Sequence, residues 1–404
     1  MSILFLSPTG QVGGAEAALH EMLAGLREAH RSWSFGLVVG SEGPLVDRVR
    51  ALGVFVEVLP FPPALASLGD WGTRTGILSS LSLLARCAVA AWPTIVYLRQ
   101  LRRLLRVHAP TVIHSNGLKM HLLAAWAKPN GTPVVWHFHD FAARRRLTSK
   151  LLRRSATGCS AIIANSKSVA QDAKQVCGDA LAIHPVWNAV DLGRFSPVGP
   201  RVDLDALAQL PPADQHVVRV GLVATFARWK GHETFLEALS LLPASSPVRG
   251  YVIGGPVYDT TGSQVALDDL RERADSLRLG SRAGFTGFIA DSSSAIRSLD
   301  IVVHASTDPE PFGLVIAEAM ACGRAVVASR AGGAIELTDA CEDAMTHTPG
   351  DARGLADRIQ RLATDPALRD RLGAAGRVTA ERCFTRSRMA AELTPIYQGL
   401  AHVH

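Results

Sequence analysis

Short runs of apolar and β-branched residues alternate with helix-length segments along almost the whole chain. Such continuous runs are typical of strands that are buried on both faces of a parallel sheet. The pattern predicts a first helix from Ala15 to about His30 and strands over residues 3–7, 34–40, 54–59, 112–115, 134–138 and 161–165. A proline-rich segment near residues 195–216 interrupts this pattern. After it, the pattern predicts further strands over residues 217–225, 248–253, 283–286, 301–304 and 325–328.

This alternation predicts an α/β protein built from two Rossmann-like domains. We expect an N-terminal domain over residues 1–195, a C-terminal domain over 196–384, and a C-terminal helix over 385–404 that packs back on the first domain. Ligands of open parallel sheets bind beyond the carboxyl ends of the strands. Two such domains facing each other would therefore line a cleft with their strand-to-helix loops, where we expect the chemistry.

Composition narrows the class of protein. The 404 residues are 48% hydrophobic and 19% charged, which excludes a disordered or low-complexity chain. Six cysteines occur without a C-x-x-C pair, so neither a disulfide framework nor a structural zinc site is indicated. The apolar run at residues 2–6 is too short for a signal peptide and lacks a basic region before it. We therefore expect a cytoplasmic protein.

The charge is unevenly distributed. Residues 1–190 hold 20 Lys and Arg against 10 Asp and Glu, a net +10, whereas the remainder carries −4. Few aromatic residues and no recognisable nucleic-acid module speak against nucleic acid as the partner. An anionic membrane surface and an ordinary solvated face both remain open. The excess positive charge of residues 1–190 is concentrated in Arg99, Arg102, Arg103, Arg106, Arg144, Arg145, Arg146, Lys150, Arg153 and Arg154.

An apolar stretch over residues 77–98 bears on the membrane question. It is long enough to span a bilayer, but Arg86 near its middle and Pro93 argue against a spanning helix. Two interpretations remain: a helical pair buried in the N-terminal domain, or a helix lying on the membrane surface.

The strongest chemical signal is the segment 304–320, which reads as a strand, a polar loop and a helix beginning near Phe312. Glu310 lies in the loop, and Glu318 lies two turns inside the predicted helix. The first-turn amides of Gly313, Leu314 and Val315 have no intrahelical partners, which suits a phosphate or sugar oxygen. Glu318 on an apolar helix needs a polar partner such as a ribose diol. Without further evidence, the alternative interpretation stays open: Glu310 caps the helix, and Glu318 is simply exposed.

The spacing Glu-Pro-Phe-Gly-x4-Glu strongly resembles the signature of retaining glycosyltransferase family 4. The resemblance is weakest over residues 60–110 and otherwise covers nearly the whole chain. It includes Gly13-Gly14-Ala15-Glu16, Asn188-Ala189-Val190-Asp191 with Phe195, Phe285-Thr286-Gly287-Phe288, Ala319-Met320-Ala321-Cys322-Gly323 and Val326-Val327-Ala328-Ser329-Arg330-Ala331-Gly332-Gly333.

Two further segments could bind a donor. Gly13 and Gly14 follow the first strand at a helix N-terminus, where glycine lets the backbone approach a ligand; an ordinary turn is the alternative. In the second half, Arg228 and Lys230 could neutralise a diphosphate leaving group. The resemblance implies an Arg five positions before Lys230, but Thr225 stands there, so Arg228 would have to supply the second cation from a shifted position.

Trp136-His137-Phe138-His139-Asp140 ends a strand. Alternation places His137 and His139 on one side, and Asp140 could orient a ring. His-x-His without a third ligand is weak support for a metal. His139 matches the family histidine beside the donor sugar, where the resemblance implies that it bonds a sugar hydroxyl and supports charge near the anomeric carbon. His114, with Ser115 and Asn116, is a lesser candidate on the acceptor side.

The resemblance implies a GT-B enzyme that transfers a hexose from a nucleotide-diphosphate sugar, such as a UDP-sugar, with retention and without a metal or other cofactor. It implies donor binding by the C-terminal domain and acceptor binding by the N-terminal one. Its implied catalytic residues are His139, Glu310 and Lys230; its implied donor-binding residues are Gly13, Gly14, Arg228, Lys230, Phe312, Gly313, Leu314, Val315 and Glu318.

The expected acceptor is a lipid-linked glycan of bacterial surface or exopolysaccharide assembly, with peripheral contact to an anionic membrane at its inner face. A small soluble acceptor, or a non-catalytic nucleotide-sugar-binding partner, are the alternatives.

Overall fold

The computed structural model describes residues 1–66, 77–256, 264–340 and 344–402, with side chains from residue 86 onward in the helix that begins at Ile77. The chain divides into two compact units: Met1–Ala189 with Arg386–His404, and Val190–Thr385. The first unit ends at Ala189 rather than at residue 195 because the following segment bonds to the second unit. Val190 N donates to Phe384 O at 2.9 Å, and Arg377 Nη1 donates to Phe195 O at 3.1 Å.

The first unit is built on a seven-stranded sheet in which every pairing is parallel. Its order is β3-β2-β1-β4-β5-β6-β7, so the strand order reverses between β1 and β4. The strands are β1 (Ser2–Ser7), β2 (Ser34–Val39), β3 (Phe55–Val58), β4 (Val112–Asn116), β5 (Val134–Phe138), β6 (Ala161–Ala164) and β7 (Ile183–Pro185). The helices are α1 (Gly14–Ala29), α2 (Pro44–Ala51), α3 (Pro63–Ala66), α4 (Ile77–His108), α5 (Leu118–Ala127), α6 (Arg146–Ser155) and α7 (Lys167–Cys177), with α16 (Arg386–His402) from the end of the chain.

The second unit repeats the arrangement with a six-stranded parallel sheet of order β10-β9-β8-β11-β12-β13, which reverses between β8 and β11. Its strands are β8 (Val218–Val223), β9 (Val248–Ile253), β10 (Ala283–Gly287), β11 (Ile301–His304), β12 (Ala325–Ser329) and β13 (Met345–His347). Its helices are α8 (Leu204–Leu207), α9 (His232–Leu241), α10 (Leu267–Ser276), α11 (Ser292–Arg297), α12 (Leu314–Ala321), α13 (Gly333–Ala340), α14 (Ala352–Thr364) and α15 (Pro366–Cys383).

The central strands are buried along their length, as their continuous apolar runs predict. In β1, β4, β5, β11 and β12 nearly every residue is buried, because helices cover both faces of each sheet. Leu, Val, Ile and Phe side chains fill two apolar clusters against the first sheet and one against the second. The prediction of an α/β fold with two Rossmann-like domains is confirmed.

The C-terminal helix α16 packs on α1 within the first unit. Its buried residues Met389, Leu393 and Tyr397 enter the cluster that includes Leu19 and Met22 of α1. Arg386 at its start donates to Glu21 Oε2 at 2.7 Å. Gly25 permits the close approach, since a Cβ there would lie 2.8 Å from the Arg386 carbonyl oxygen.

The apolar stretch at residues 77–98 forms the first part of one continuous helix, α4, rather than a helical pair, and Pro93 lies inside it. Its described inner face, with Ala90, Tyr97, Leu101, Leu104 and Leu105, is buried. Its outer face leaves Val89, Trp92 and Ile95 exposed at 69%, 66% and 42%. Within the described ranges, no helix has both the length and the apolar character needed to cross a bilayer.

Candidate active site

The strands on either side of each reversal point carry most of the predicted site residues. In the second unit, Lys230 follows β8 and Glu310 follows β11, two strands that pair directly, with Ile301 opposite Val220. In the first unit, Gly13 follows β1, and His139 follows β5, which pairs with β4. In doubly wound sheets, ligands bind at such reversal points.

Lys230 ends a 3-10 turn, Arg228–Lys230, that lies against the end of β11. Thr307 N donates to Trp229 O at 2.8 Å, which joins the two loops. Gly231 makes the approach feasible: its φ is +76°, and a Cβ there would lie 1.9 Å from the Ala305 carbonyl oxygen. The local sequence therefore fixes the Lys230 backbone beside the loop that carries Glu310.

Glu310 is fixed from the other side by the loop that follows β12. Gly333 N donates to Glu310 O at 2.6 Å, and Glu310 N donates to Ala331 O at 3.3 Å. Gly332 has φ +66°, and a Cβ there would lie 2.4 Å from Glu310 O. Both backbone groups of Glu310 are thus tied down, so its side chain has a defined direction.

The Glu310 carboxylate, 7% exposed, accepts hydrogen bonds from three side chains. Lys230 Nζ lies 2.9 Å from Oε2 and 3.2 Å from Oε1. Ser306 Oγ lies 2.9 Å from Oε2, and His304 Nε2 lies 3.0 Å from the same oxygen. The structure therefore brings together two of the three predicted catalytic residues, Lys230 and Glu310.

These contacts decide the charge of Glu310. Burial alone raises the pKa of its carboxyl group, but the ammonium of Lys230 and the hydrogen bond from His304 outweigh burial and hold the pKa well below its usual range. Glu310 is consequently a carboxylate at any pH near neutrality. It can accept hydrogen bonds from hydroxyl groups or stabilise positive charge, but it has no proton to give.

The Lys230 ammonium is not fully occupied by this pair. Its side chain is 19% exposed and lies over the Trp229 ring, with Nζ 3.8 Å from the ring centroid. An ammonium group has three hydrogens to donate, so a phosphate oxygen can bind Lys230 beside Glu310. Lys230 is also the only lysine after residue 174, in a sequence whose other cations there are all arginines.

The helix after Glu310 begins later than predicted. It spans Leu314–Ala321, with Gly313 as the N-cap in the left-handed conformation at φ +96°, rather than starting near Phe312. Phe312 is drawn into the core, 2% exposed, with its ring 6.1 Å from that of Phe384. Its side chain is therefore structural, and only its backbone could meet a ligand.

The start of this helix, α12, sets the position of the second acidic residue. The amides of Leu314 and Val315 are in its first turn, where an α-helix leaves donors without intrahelical partners. Glu318 lies one turn into the helix rather than two, because the helix begins at Leu314, and its side chain is partly exposed.

Arg228 is not brought to Glu310. Its side chain is exposed and makes no ion pair or side-chain hydrogen bond within the described part of the chain. Thr225 lies just after β8 and is partly buried. The structure thus shows one cation at Glu310, and a second cation at this place stays a prediction.

In the first unit, Gly13 is the N-cap of α1 and Gly14 its first residue. Gly13 N donates to Glu16 Oε2 at 3.1 Å, so the glutamate side chain satisfies the amide of the N-cap residue. Gly13 has φ −105°, and neither glycine has a positive φ. The backbone conformation therefore does not require glycine at either position, and the close approach of a ligand to these two glycines stays a prediction.

His139 follows β5, and its ring centroid lies 3.9 Å from that of His137, so the two rings share one side as predicted. His139 Nε2 lies 2.5 Å from Asn116 Oδ1. Asp140 accepts hydrogen bonds from Arg145 Nη2 at 2.7 Å and from Phe141 N at 2.8 Å, and from no histidine ring among the described residues. Asn116, not Asp140, is the partner of the histidine.

The neighbouring histidines are buried and neutral. Burial lowers the pKa of His139 to about 3, and burial with the nearby His139 lowers the pKa of His114 to about 3. His114 Nδ1 bonds Tyr397 Oη at 2.9 Å and packs in the core. Among the described residues, no three His, Cys, Asp or Glu side chains are grouped so as to hold a metal ion.

Sequence reasoning assigned no role to His304 or Ser306, and it named Asn116 only beside His114, as a lesser candidate on the acceptor side. His304 ends β11 and Ser306 follows two positions later, so period-two alternation places both on the side of Glu310. Asn116 ends β4. The available signal for all three was a polar residue at, or just after, the carboxyl end of an otherwise apolar strand.

Comparison with known proteins gives two family matches that cover adjoining parts of the chain. Residues 12–194 match Glycosyltransferase Family 4, and residues 211–379 match Glycosyl transferases group 1. The chain is 29% identical over 271 residues to the lipopolysaccharide core biosynthesis glycosyltransferase LpsE of Rhizobium meliloti, covering 66% of this chain and 73% of LpsE. It is 26% identical over 370 residues to alpha-maltose-1-phosphate synthase of Mycobacterium tuberculosis, covering 87% and 91% of the two chains.

The fold also matches solved structures over its full length. Anabaena HepE, in complexes with UDP and with UDP-glucose, aligns with a TM-score of 0.77 and 25% identity over 99% of this chain and 100% of HepE. Sucrose-phosphate synthase from Thermosynechococcus elongatus aligns with a TM-score of 0.76 and 21% identity over both whole chains, a likeness of fold. Two adjoining family matches and these full-length alignments make the protein a glycosyltransferase of the GT-B fold.

Proposed function

We propose that the protein is a retaining hexosyltransferase that uses a UDP-sugar donor without a metal ion and transfers the sugar to a lipid-linked glycan. The observation that carries the proposal is the Lys230–Glu310 pair at the reversal point of the second sheet, at 2.9 Å and beside the start of α12. A cation and first-turn amides suit a diphosphate, and a carboxylate suits sugar hydroxyls. HepE, which shares this fold, binds UDP and UDP-glucose.

In this mechanism Lys230 stabilises the leaving diphosphate. The bond between the anomeric carbon and the β-phosphate oxygen breaks, and its electron pair stays on the phosphate. Charge that develops on that oxygen is stabilised by the ammonium of Lys230 and by the amides of Leu314 and Val315. These fixed donors supply the charge neutralisation that a divalent cation supplies in other sugar transferases.

Retention follows if the acceptor attacks the face that the phosphate leaves. The acceptor hydroxyl oxygen bonds to the anomeric carbon, and the departing phosphate oxygen takes the hydroxyl proton. Glu310 holds the sugar by its hydroxyl groups and stabilises its positive charge, and His139 contributes a further hydrogen bond. Because Glu310 is held as an anion by Lys230 and His304, it is suited to this electrostatic role.

Thermal unfolding with added ligands tests the donor. A ligand that binds only the folded state raises the melting temperature by mass action. We expect UDP and UDP-glucose to raise it, with UMP and uridine much weaker because they lack the diphosphate. The α-anomer of glucose should then appear first in NMR spectra during slow hydrolysis of UDP-glucose. Release of the β-anomer first would contradict retention, and binding without any release would favour a non-catalytic partner.

The outer face of α4 supports a membrane-linked acceptor. Val89, Trp92 and Ile95 form an exposed apolar patch in its first half, and Arg99, Arg103 and Arg106 continue along the same side. Apolar side chains beside cations suit the boundary between acyl chains and anionic headgroups. The proposed place of action is therefore the inner face of the membrane, at its surface.

Trp92→Ser is expected to lower binding to anionic vesicles by about tenfold, because the exposed indole is the largest apolar group on this face. Cosedimentation with phosphatidylglycerol vesicles measures the effect. Val378→Ser, which changes an exposed valine on α15 of the second unit, is the control. Equal losses in both variants, or no binding of the parent protein at low salt, would contradict the membrane contact.

A further inference from the structure

The side chain of Asn116 makes a contact that bears on the chemistry of His139. Asn116 ends β4 and stands opposite His137 in the parallel register with β5. Its Oδ1 lies 2.5 Å from His139 Nε2, a short hydrogen bond for which an amide oxygen can only be the acceptor. In that arrangement the ring proton of a neutral His139 is on Nε2.

The other ring nitrogen of His139 is buried and without a partner. Within the described part of the chain, Nδ1 forms no hydrogen bond. A buried polar atom that lacks a partner is costly, and in native proteins it commonly has a ligand or water as its partner. With the proton on Nε2, Nδ1 carries a lone pair, so its missing partner must be a hydrogen-bond donor.

The surroundings of His139 keep the ring neutral. Its titratable neighbours are the buried His114, His121 and His137, and burial lowers the pKa of each. Asp140 is turned to Arg145 and Phe141 N instead. The backbone of His139 is held as well, because Asn165 Nδ2 donates to its carbonyl oxygen at 3.4 Å. With its Nε2 bonded to Asn116 and its backbone carbonyl bonded to Asn165, a neutral His139 ring has one acceptor atom left, Nδ1.

We propose that Asn116 is a positioning residue that holds His139 in the tautomer with its proton on Nε2, so that Nδ1 accepts a hydrogen bond from a hydroxyl group of the donor sugar. This inference rests on the proposed function for the identity of the hydroxyl-bearing ligand. The tautomer is inferred from an Asn116 amide that has Oδ1 toward His139 Nε2, and this inference involves no residue of the second unit. A histidine ring is commonly fixed in this way by a partner on its other nitrogen.

Two substitutions separate this role from a structural one. Asn116→Asp keeps an acceptor at the same place, so the tautomer is preserved, but its negative charge raises the pKa of His139. Asn116→Leu removes the acceptor. Ser155→Ala is the matched control: Ser155 ends α6 in the same unit, and its buried Oγ accepts a hydrogen bond from Trp126 Nε1 at 3.0 Å.

The first readout needs no sugar. Long-range proton–nitrogen NMR spectra of protein labelled at histidine distinguish the two ring tautomers, and a His139→Gln variant assigns the signals. We expect the Nε2-protonated tautomer in the parent protein and in Asn116→Asp, and a mixture in Asn116→Leu. A parent protein with the proton on Nδ1 would overturn the inference, whether or not the protein turns over a donor.

The second readout is UDP-glucose hydrolysis against pH. Asn116→Leu should lose about 10–100-fold in kcat at every pH, the range for residues that orient a functional histidine. Asn116→Asp should stay near the parent rate above neutrality and lose activity as pH falls, since protonation of Nδ1 removes the acceptor. Equal, pH-independent losses in both variants would overturn the inference. Lack of hydrolysis by the parent protein would instead count against the proposed function, and the NMR result would then decide the tautomer.

Discussion

Replacing Glu310 by Gln is expected to lower sugar transfer by about a hundred- to a thousandfold while leaving UDP affinity within about threefold of the parent value. Gln has the shape of Glu but no charge, so the stabilisation of a positive sugar ring is lost. It also offers an NH2 group to Lys230 and His304, which are themselves donors. UDP binding depends on Lys230 and helix amides, and Lys230 no longer shares its charge with a carboxylate.

The rate of transfer and the UDP dissociation constant are measured in the same preparations. Glu272→Gln makes the same chemical change at an exposed position on α10 and should leave both quantities unchanged. Undiminished transfer by Glu310→Gln would remove Glu310 from the reaction. A parallel loss of UDP affinity would make it a binding residue instead of one that acts on the reacting sugar.

Replacing Lys230 by Ala is expected to weaken UDP binding by about 10–100-fold, because charge-assisted hydrogen bonds to the diphosphate are lost. Transfer should fall further than binding, since the same ammonium stabilises the leaving phosphate. Glu310 is then buried without its strongest partner, so its pKa rises. Residual activity should therefore fall as pH is lowered, a loss absent from the parent protein, whose Glu310 stays ionised.

The double variant Lys230→Ala/Glu310→Gln separates stability from catalysis. Leaving a buried carboxylate without its cation destabilises the fold, and removing the charge of both partners relieves that cost. We expect the double variant to regain the melting temperature that Lys230→Ala loses, but not its transfer activity. Recovery of transfer in the double variant would show that the pair acts only on stability.

Much of the fold could be predicted because both sheets are parallel and buried. Strands β5, β9 and β11 have the predicted bounds, since proline, glycine or polar residues stand at or next to their ends. The short edge strands β7 and β13 were missed. Each has three residues, among them Pro185 or His347, and is too short to show a period.

The site was partly predictable for a related reason. Lys230 and Glu310 are charged residues in loops after buried strands, and such positions are evident in a sequence. The start of α12 was not, because a left-handed Gly313 and the burial of Phe312 depend on tertiary packing. The pairing of Asn116 with His139 was not predictable either. It joins the ends of two neighbouring strands, and only the register of the sheet shows which of their side chains meet.

Chemical labelling of Lys230 shows whether the Lys230–Glu310 site binds the diphosphate of the donor. Lys230 is the only lysine after residue 174, so an amine-reactive label on the second unit reports this residue alone, while Lys119, Lys128, Lys150, Lys167 and Lys174 serve as internal standards. We predict that saturating UDP slows the labelling of Lys230 several-fold and leaves the other five unchanged. If Lys230 were labelled at the same rate under conditions where UDP raises the melting temperature, the diphosphate would bind elsewhere and the proposed donor site would be wrong.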